Sequence, residues 1–184
     1  MKGDDPHKKN KNSSQRGLLK QLLELAVLSN GQDRRHIPTG AKRSPLQDFM
    51  MSSHVFFIPA IVLAANNQLF ELVLLQSAVL GLSLAYHRDY ERPGPIARAE
   101  GTAAKLLFVY GLAQTFFYFP HNGSMTIGHE IFLTEAICAS ATAGLFVATN
   151  LNKKTYESLH PLGLHVIPGV WSAIVAATHP PIFF

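Results

Sequence analysis

The chain has 184 residues, 47% of them hydrophobic and 15% charged, with a net charge of +4 and a single cysteine. Mean hydropathy is only +0.12, which a soluble domain can reach, so the class has to be read from where the apolar residues lie. One cysteine excludes an intrachain disulfide framework. The aromatic residues interleave with the apolar segments and not with the lysines and arginines, which argues against nucleic-acid binding.

Polar residues crowd into positions 1–48. Residues 1–16 have the composition of a disordered segment. The start Met1-Lys2-Gly3-Asp4-Asp5-Pro6 is followed by a polar run, unlike a cleavable signal peptide, and it is too acidic for an organellar presequence. Residues 17–29 are leucine-rich and predict a short amphipathic helix stopped by Ser29-Asn30-Gly31. That helix is too short to cross a bilayer, and both an interfacial position and packing against the bundle end fit it. A basic linker containing Pro38 and Gly40 follows over 32–47.

From residue 49 onward five apolar segments succeed one another. The first, 54–65, is short unless it begins near Phe49. The second, 69–86, has Glu71 as its only charge, and the third, 101–119, has only Lys105. The fourth, 125–149, carries Glu130 and Glu135, and the fifth, 164–184, carries no Asp, Glu, Lys or Arg. Apolar stretches of about 20 residues match a hydrocarbon layer about 30 Å thick at 1.5 Å per residue. A soluble bundle would lack the polar surface to cover five such helices. The expected fold is all-α: a multi-pass membrane bundle of about five transmembrane helices over 49–184.

The connections alternate in charge. The N-terminal region is basic, Asn66-Asn67-Gln68 is neutral, and 88–100 carries Arg88, Arg92 and Arg98. Residues 120–124 carry no lysine or arginine, and the last connection carries Lys153 and Lys154. By the positive-inside rule the N-terminus lies inside and the C-terminus outside.

Ser83 and His87 sit one turn apart at the end of the second segment, so they share a helix face. An ionisable side chain there is costly unless it is used. The same side of the membrane collects Asp89, Glu91 and Glu100, then Glu157, His160 and His165. His54, at the start of the first segment, fits either that cluster or a headgroup contact. Neutral imidazoles with an open position are what a catalytic Zn²⁺ requires. His87, His160 and His165 are the candidate metal ligands, with Glu100 or Asp89 as a fourth ligand or base and Ser83 as an oxyanion partner. His160 and His165 are five residues apart, about 140° around an ideal α-helix, so they are not expected to share a face. Pro161 suits a first helical turn and leaves His160 at the cap, free to turn inward.

The stretches Ser52-Ser53-His54-Val55-Phe56-Phe57-Ile58-Pro59-Ala60, Ser83-Leu84-Ala85-Tyr86-His87 with Glu91-Arg92-Pro93-Gly94, and Val109-Tyr110-Gly111 resemble the first three helices of the myomaker-like branch of the CREST superfamily. Alkaline ceramidases and adiponectin/progestin receptors belong to the same superfamily. The resemblance spans about 52–111. It implies a zinc site for hydrolysis of a lipid amide or related bond, with Ser83 and His87 in the second-helix roles. His160 and His165 stand nearest the last-helix histidine pair, and Glu100 or Thr102 falls at the third-helix acid position.

His121, His129, Glu130 and His179 read as residues of the opposite interface. Glu135 lies deep enough in the fourth segment to need a partner such as Gln114 or Gln76. Trp171, Phe183 and Phe184 read as packing or interface anchors. Two function classes fit this integral membrane protein. One is a zinc-dependent hydrolase of a lipid amide or ester. The other is a non-catalytic bundle, serving as an accessory subunit for membrane-protein partners or as a membrane-remodelling protein.

Overall fold

The computed structural model describes residue 17 and residues 44–88, 91, 94–117, 125–151 and 153–180. The expected amphipathic helix over 17–29, apart from Gly17, lies outside the described residues, as do Asp89, Arg92, His121, Phe183 and Phe184. Every regular element among the described residues is helical.

The first rod starts at Pro45, earlier than the apolar pattern alone implies. Ser44 caps α1 (Pro45–Ser52): its Oγ accepts from the Gln47 N–H at 3.3 Å, and Gln47 Oε1 accepts from the Ser44 N–H at 3.0 Å. A 3₁₀ turn, Ser53–Phe56, follows, and α2 (Phe57–Asn66) completes the rod. Pro59 lacks the N–H that an unbroken α-helix would send to the Val55 carbonyl, and the backbone tightens just before it. The rod ends in a Schellman closure: Gln68 takes a left-handed φ of 62°, and the Leu69 N–H reaches the Ala64 carbonyl at 2.8 Å.

Then come α3 (Phe70–Arg88), α4 (Pro95–Phe117) and α5 (Met125–Leu151). The last rod consists of α6 (Lys153–His160), a π-helical turn over Pro161–Val166 and α7 (Ile167–Thr178). It begins well before residue 164, and Pro161 stands inside it rather than at its start. Among the described residues, four segments are long and apolar enough to cross a membrane: Pro45–Asn66, Phe70–Arg88, Gly128–Asn150 and Thr155–Thr178. The 23-residue α4 is long enough but less apolar, since it carries Arg98, Glu100 and Lys105.

The distribution of side chains fits a bilayer. Leu74 is 72% exposed, Ile137 67% and Phe117 81%, whereas Gln76, Gln114 and Glu135 are completely buried. Apolar residues outward and polar residues inward suit hydrocarbon as solvent. The architecture is an all-α, multi-pass membrane bundle. Packing centres on the last rod: α7 lies against α2, α4 and α5, while α3 joins α2 to α4. Phe57, Leu72, Val79, Leu107, Tyr110, Trp171 and Val175 fill the core.

Glycine makes one of these approaches close. A Cβ on Gly169 would stand 2.5 Å from the Phe56 carbonyl oxygen and 2.8 Å from its carbon, so only glycine lets α7 lie on the 3₁₀ turn. Polar contacts fasten the same two rods at their starts. Gln47 Nε2 donates to Glu157 Oε1 at 3.1 Å, and Ser44 Oγ donates to Glu157 Oε2 at 3.5 Å.

Candidate metal centre

His54 in the 3₁₀ turn, His87 near the end of α3 and His165 in the π turn meet in the interior. One ligand nitrogen from each lies within 4.8 Å of the other two, and all three residues are buried. Zinc–nitrogen bonds are about 2.0–2.1 Å, so side-chain shifts of under about 1 Å would close this triangle onto one ion.

Hydrogen bonds select which nitrogen of each neutral ring keeps its lone pair. His54 Nδ1 is 3.0 Å from the Met51 carbonyl, which can only accept, so the proton is on Nδ1 and Nε2 is left as acceptor. His87 Nδ1 donates to Glu91 Oε1 at 3.0 Å. Ser53 Oγ donates its single proton to the Met50 carbonyl at 2.8 Å, so His165 Nδ1, 2.7 Å away, must be the donor in their contact. All three rings therefore present Nε2 lone pairs. His165 Nε2 has no hydrogen-bond partner among the described residues, although His165 is only 2% exposed. A buried orphaned acceptor in a cluster of three histidines fits a cation, with Glu91, Ser53 and the Met51 carbonyl as the outer partners that fix ring orientation.

Glu91 is held in place by an unusual backbone. Its φ is 54°, a left-handed conformation disfavoured for a non-glycine residue, and its N–H reaches back to the Tyr86 carbonyl at 3.0 Å. This hook brings a 2%-exposed carboxylate onto His87, four residues earlier.

His160 stands beside the trio, its ring centroid 5.2 Å from His87 and 5.1 Å from His165. Its ring also lies 4.4 Å from Tyr156. The α-helical expectation that residues 160 and 165 diverge is corrected by the π turn. There the Ile167 N–H bonds the carbonyl of Leu162, five residues back, so a five-residue spacing returns to one face. His54, left open by the sequence, is a full member of the cluster: its ring centroid is 4.0 Å from that of His165. Its place at the start of the first segment, on the side that collects the other histidines, was its signal in the sequence.

Ser83 Oγ is 2.9 Å from His54 Nε2 and donates to it. Ser83, His160 and His165 also line a cavity of about 300 Å³ whose walls are otherwise mostly apolar, including Leu107, Phe108 and Trp171. Glu100 lines the same cavity on α4.

A second polar cluster is separate from this centre. Glu135 on α5 meets His179 Nε2 at 2.9 and 3.1 Å through its two oxygens, and both side chains are buried. The expected partners of Glu135, Gln114 and Gln76, are thus replaced by His179, which belongs to the interior and not to an interface. Gln114 instead donates to the Tyr110 hydroxyl at 2.8 Å and to the Pro180 carbonyl at 3.3 Å. Trp171 is a core residue whose Nε1–H donates to Thr115 Oγ1 at 3.3 Å.

Comparison with protein-family models, curated proteins and solved structures finds no match.

Proposed function

We propose that this membrane protein is a zinc-dependent hydrolase of a lipid amide or ester, of the kind its Ser83–His87 motif resembles in the CREST superfamily. The observation that carries the reading is the convergence of His54, His87 and His165, one ring nitrogen of each within 4.8 Å of the other two, beside a mostly apolar cavity. The π turn supports the comparison with a last-helix histidine pair, because it returns His160 and His165 to one face.

His54, His87 and His165 would hold the ion, and zinc in such a site lowers the pKa of a coordinated water to about 7 and polarises a carbonyl. The protein's own groups do the rest. Glu91 fixes the tautomer of His87, and Ser53 that of His165. Ser83 now spends its proton on His54 Nε2; once that nitrogen is engaged, the hydroxyl is free to donate to a substrate oxygen in the cavity. His160, on the cavity wall beside His87 and His165, is placed to accept and return a proton. The apolar walls take the lipid chain and keep water away.

Metal analysis of the purified protein tests this. About one zinc per chain, together with zinc-dependent release of free acid from amide- or ester-linked lipids, is the expected result. Metal-free protein prepared without chelator would sink the reading.

The alternative is a non-catalytic bundle in which the histidines knit the core. One observation favours it: Ser83 already bonds His54, and Ser53 already bonds His165.

A further inference from the structure

The cavity contains a charge that the hydrolase reading does not use. Lys105 lines it, half-buried, ten residues and so about 15 Å from Pro95 at the start of α4. It lies four residues inside the apolar segment 101–119 and is that segment's only charge, a place where an ammonium is costly without an anion or water beside it. Glu100 is the acid whose charge reaches Lys105, but among the described residues Lys105 makes no ion pair within 4.0 Å. The lining shared with it includes Ala104, Leu107, Phe108, Phe146 and Val147, with Glu100, Thr142 and Asn150 as polar members.

The slot has a direction. Six residues beyond Lys105, Gly111 is pressed against the Trp171 ring, a Cβ there falling 2.8 Å from it. Trp171 is likewise six residues beyond His165 on the last rod. Both walls therefore run about 9 Å from the level of Lys105 and His165 to the tryptophan. An alkyl chain whose polar head lies at Lys105 would point its tail at Trp171.

We propose that Lys105 is a specificity residue of this cavity, selecting single-chain amphiphiles that carry an anionic group, carboxylate or phosphate, over neutral ones. The inference takes from the hydrolase reading only that the cavity is where the ligand sits, and its test reads binding without turnover.

Trp171 is the only tryptophan in the chain, so bromine on a chain terminus reports entry to the slot by quenching its fluorescence. Purified protein in a neutral maltoside detergent is titrated with 8-bromooctanoate, 8-bromooctyl phosphate and 8-bromooctan-1-ol. A charge-assisted contact predicts half-quenching by the two anions at concentrations about tenfold below that of the alcohol. K105M is expected to abolish the difference while leaving the alcohol curve in place, and K105R to restore it. The stronger of the two anions identifies the head group. Equal titration of anions and alcohol by the wild type, or an anion preference that survives in K105M, would overturn the proposal. H87A separates the two readings. A preference unchanged in H87A assigns the anion to Lys105, and one that disappears there assigns it to the metal centre and overturns the proposal. Absence of zinc from the wild type would end the hydrolase reading and leave the Lys105 preference standing.

Discussion

His160 and His165 are five residues apart, yet their rings meet edge to face at 5.1 Å, because the turn between them is π-helical. A π turn accommodates one extra residue in a helix without unwinding its flanks, and such turns recur at functional sites. Here the extra residue lets two rings lie near His87 while α7 keeps its register against α2. The two histidines are nonetheless not equivalent. Only His165 belongs to the set whose nitrogens lie within 4.8 Å of one another.

The first prediction follows from that inequality. H54A, H87A and H165A should each lose most of the bound zinc, whereas H160A should retain it and lose turnover instead. Elemental analysis of the four variants, each checked for folding by helical circular dichroism, decides the matter. Retention of zinc by H54A together with its loss in H160A would transfer the ligand role to His160.

Glu91 should set affinity without touching the ion. E91Q removes the charge that holds His87 Nδ1–H and is expected to weaken zinc binding by about 10–100-fold. Competition with a chromophoric chelator measures this. An unchanged affinity would reduce the strained backbone at residue 91 to a turn with no bearing on the centre.

Gly169 governs how close the last rod comes to His54. G169A drives a methyl group into the Phe56 carbonyl and should destabilise the bundle by about 1–3 kcal/mol. Since Phe56 ends the 3₁₀ turn that carries His54, zinc affinity should fall with it. G144A, at an exposed helical position with no described atom within 4 Å of the added methyl, is the matched control. Unfolding of the variants in detergent gives the stability difference.

The buried pair Glu135–His179 predicts a different pattern. Removing one partner strands the other in the interior, so E135A should destabilise by about 3–5 kcal/mol. Replacing both by apolar residues, as in E135L combined with H179F, should recover much of that loss. Additive losses in the double variant would contradict the pairing.

The five rods and the meeting of polar residues at one bundle end were legible in the sequence, because burial in lipid leaves long apolar runs and few places for charge. The starts of the outer rods were not. Lys153, Lys154 and Glu157 have the look of a connection, but the helix continues through them, with Glu157 held by Ser44 and Gln47. The face shared by His160 and His165 was hidden because periodicity presumes 3.6 residues per turn, and nothing local announces a π turn. The partner of Glu135 lies 44 residues away, and no spacing rule connects positions so distant. His54 was ambiguous because a histidine at a helix start carries the same letters whether it meets a headgroup or the core.

The contact between Ser53 and His165 spans 112 positions of chain. During synthesis the first rod is made long before the last, so His54 and His87 must wait in the membrane while α4, α5 and α6 are threaded. A lone pair that finds its third companion only at the end of insertion cannot capture metal tightly beforehand. On the proposed zinc reading, metal occupancy would record completed assembly: a chain stalled before His165 would be metal-poor, distinguishable from a finished one by its affinity for zinc alone.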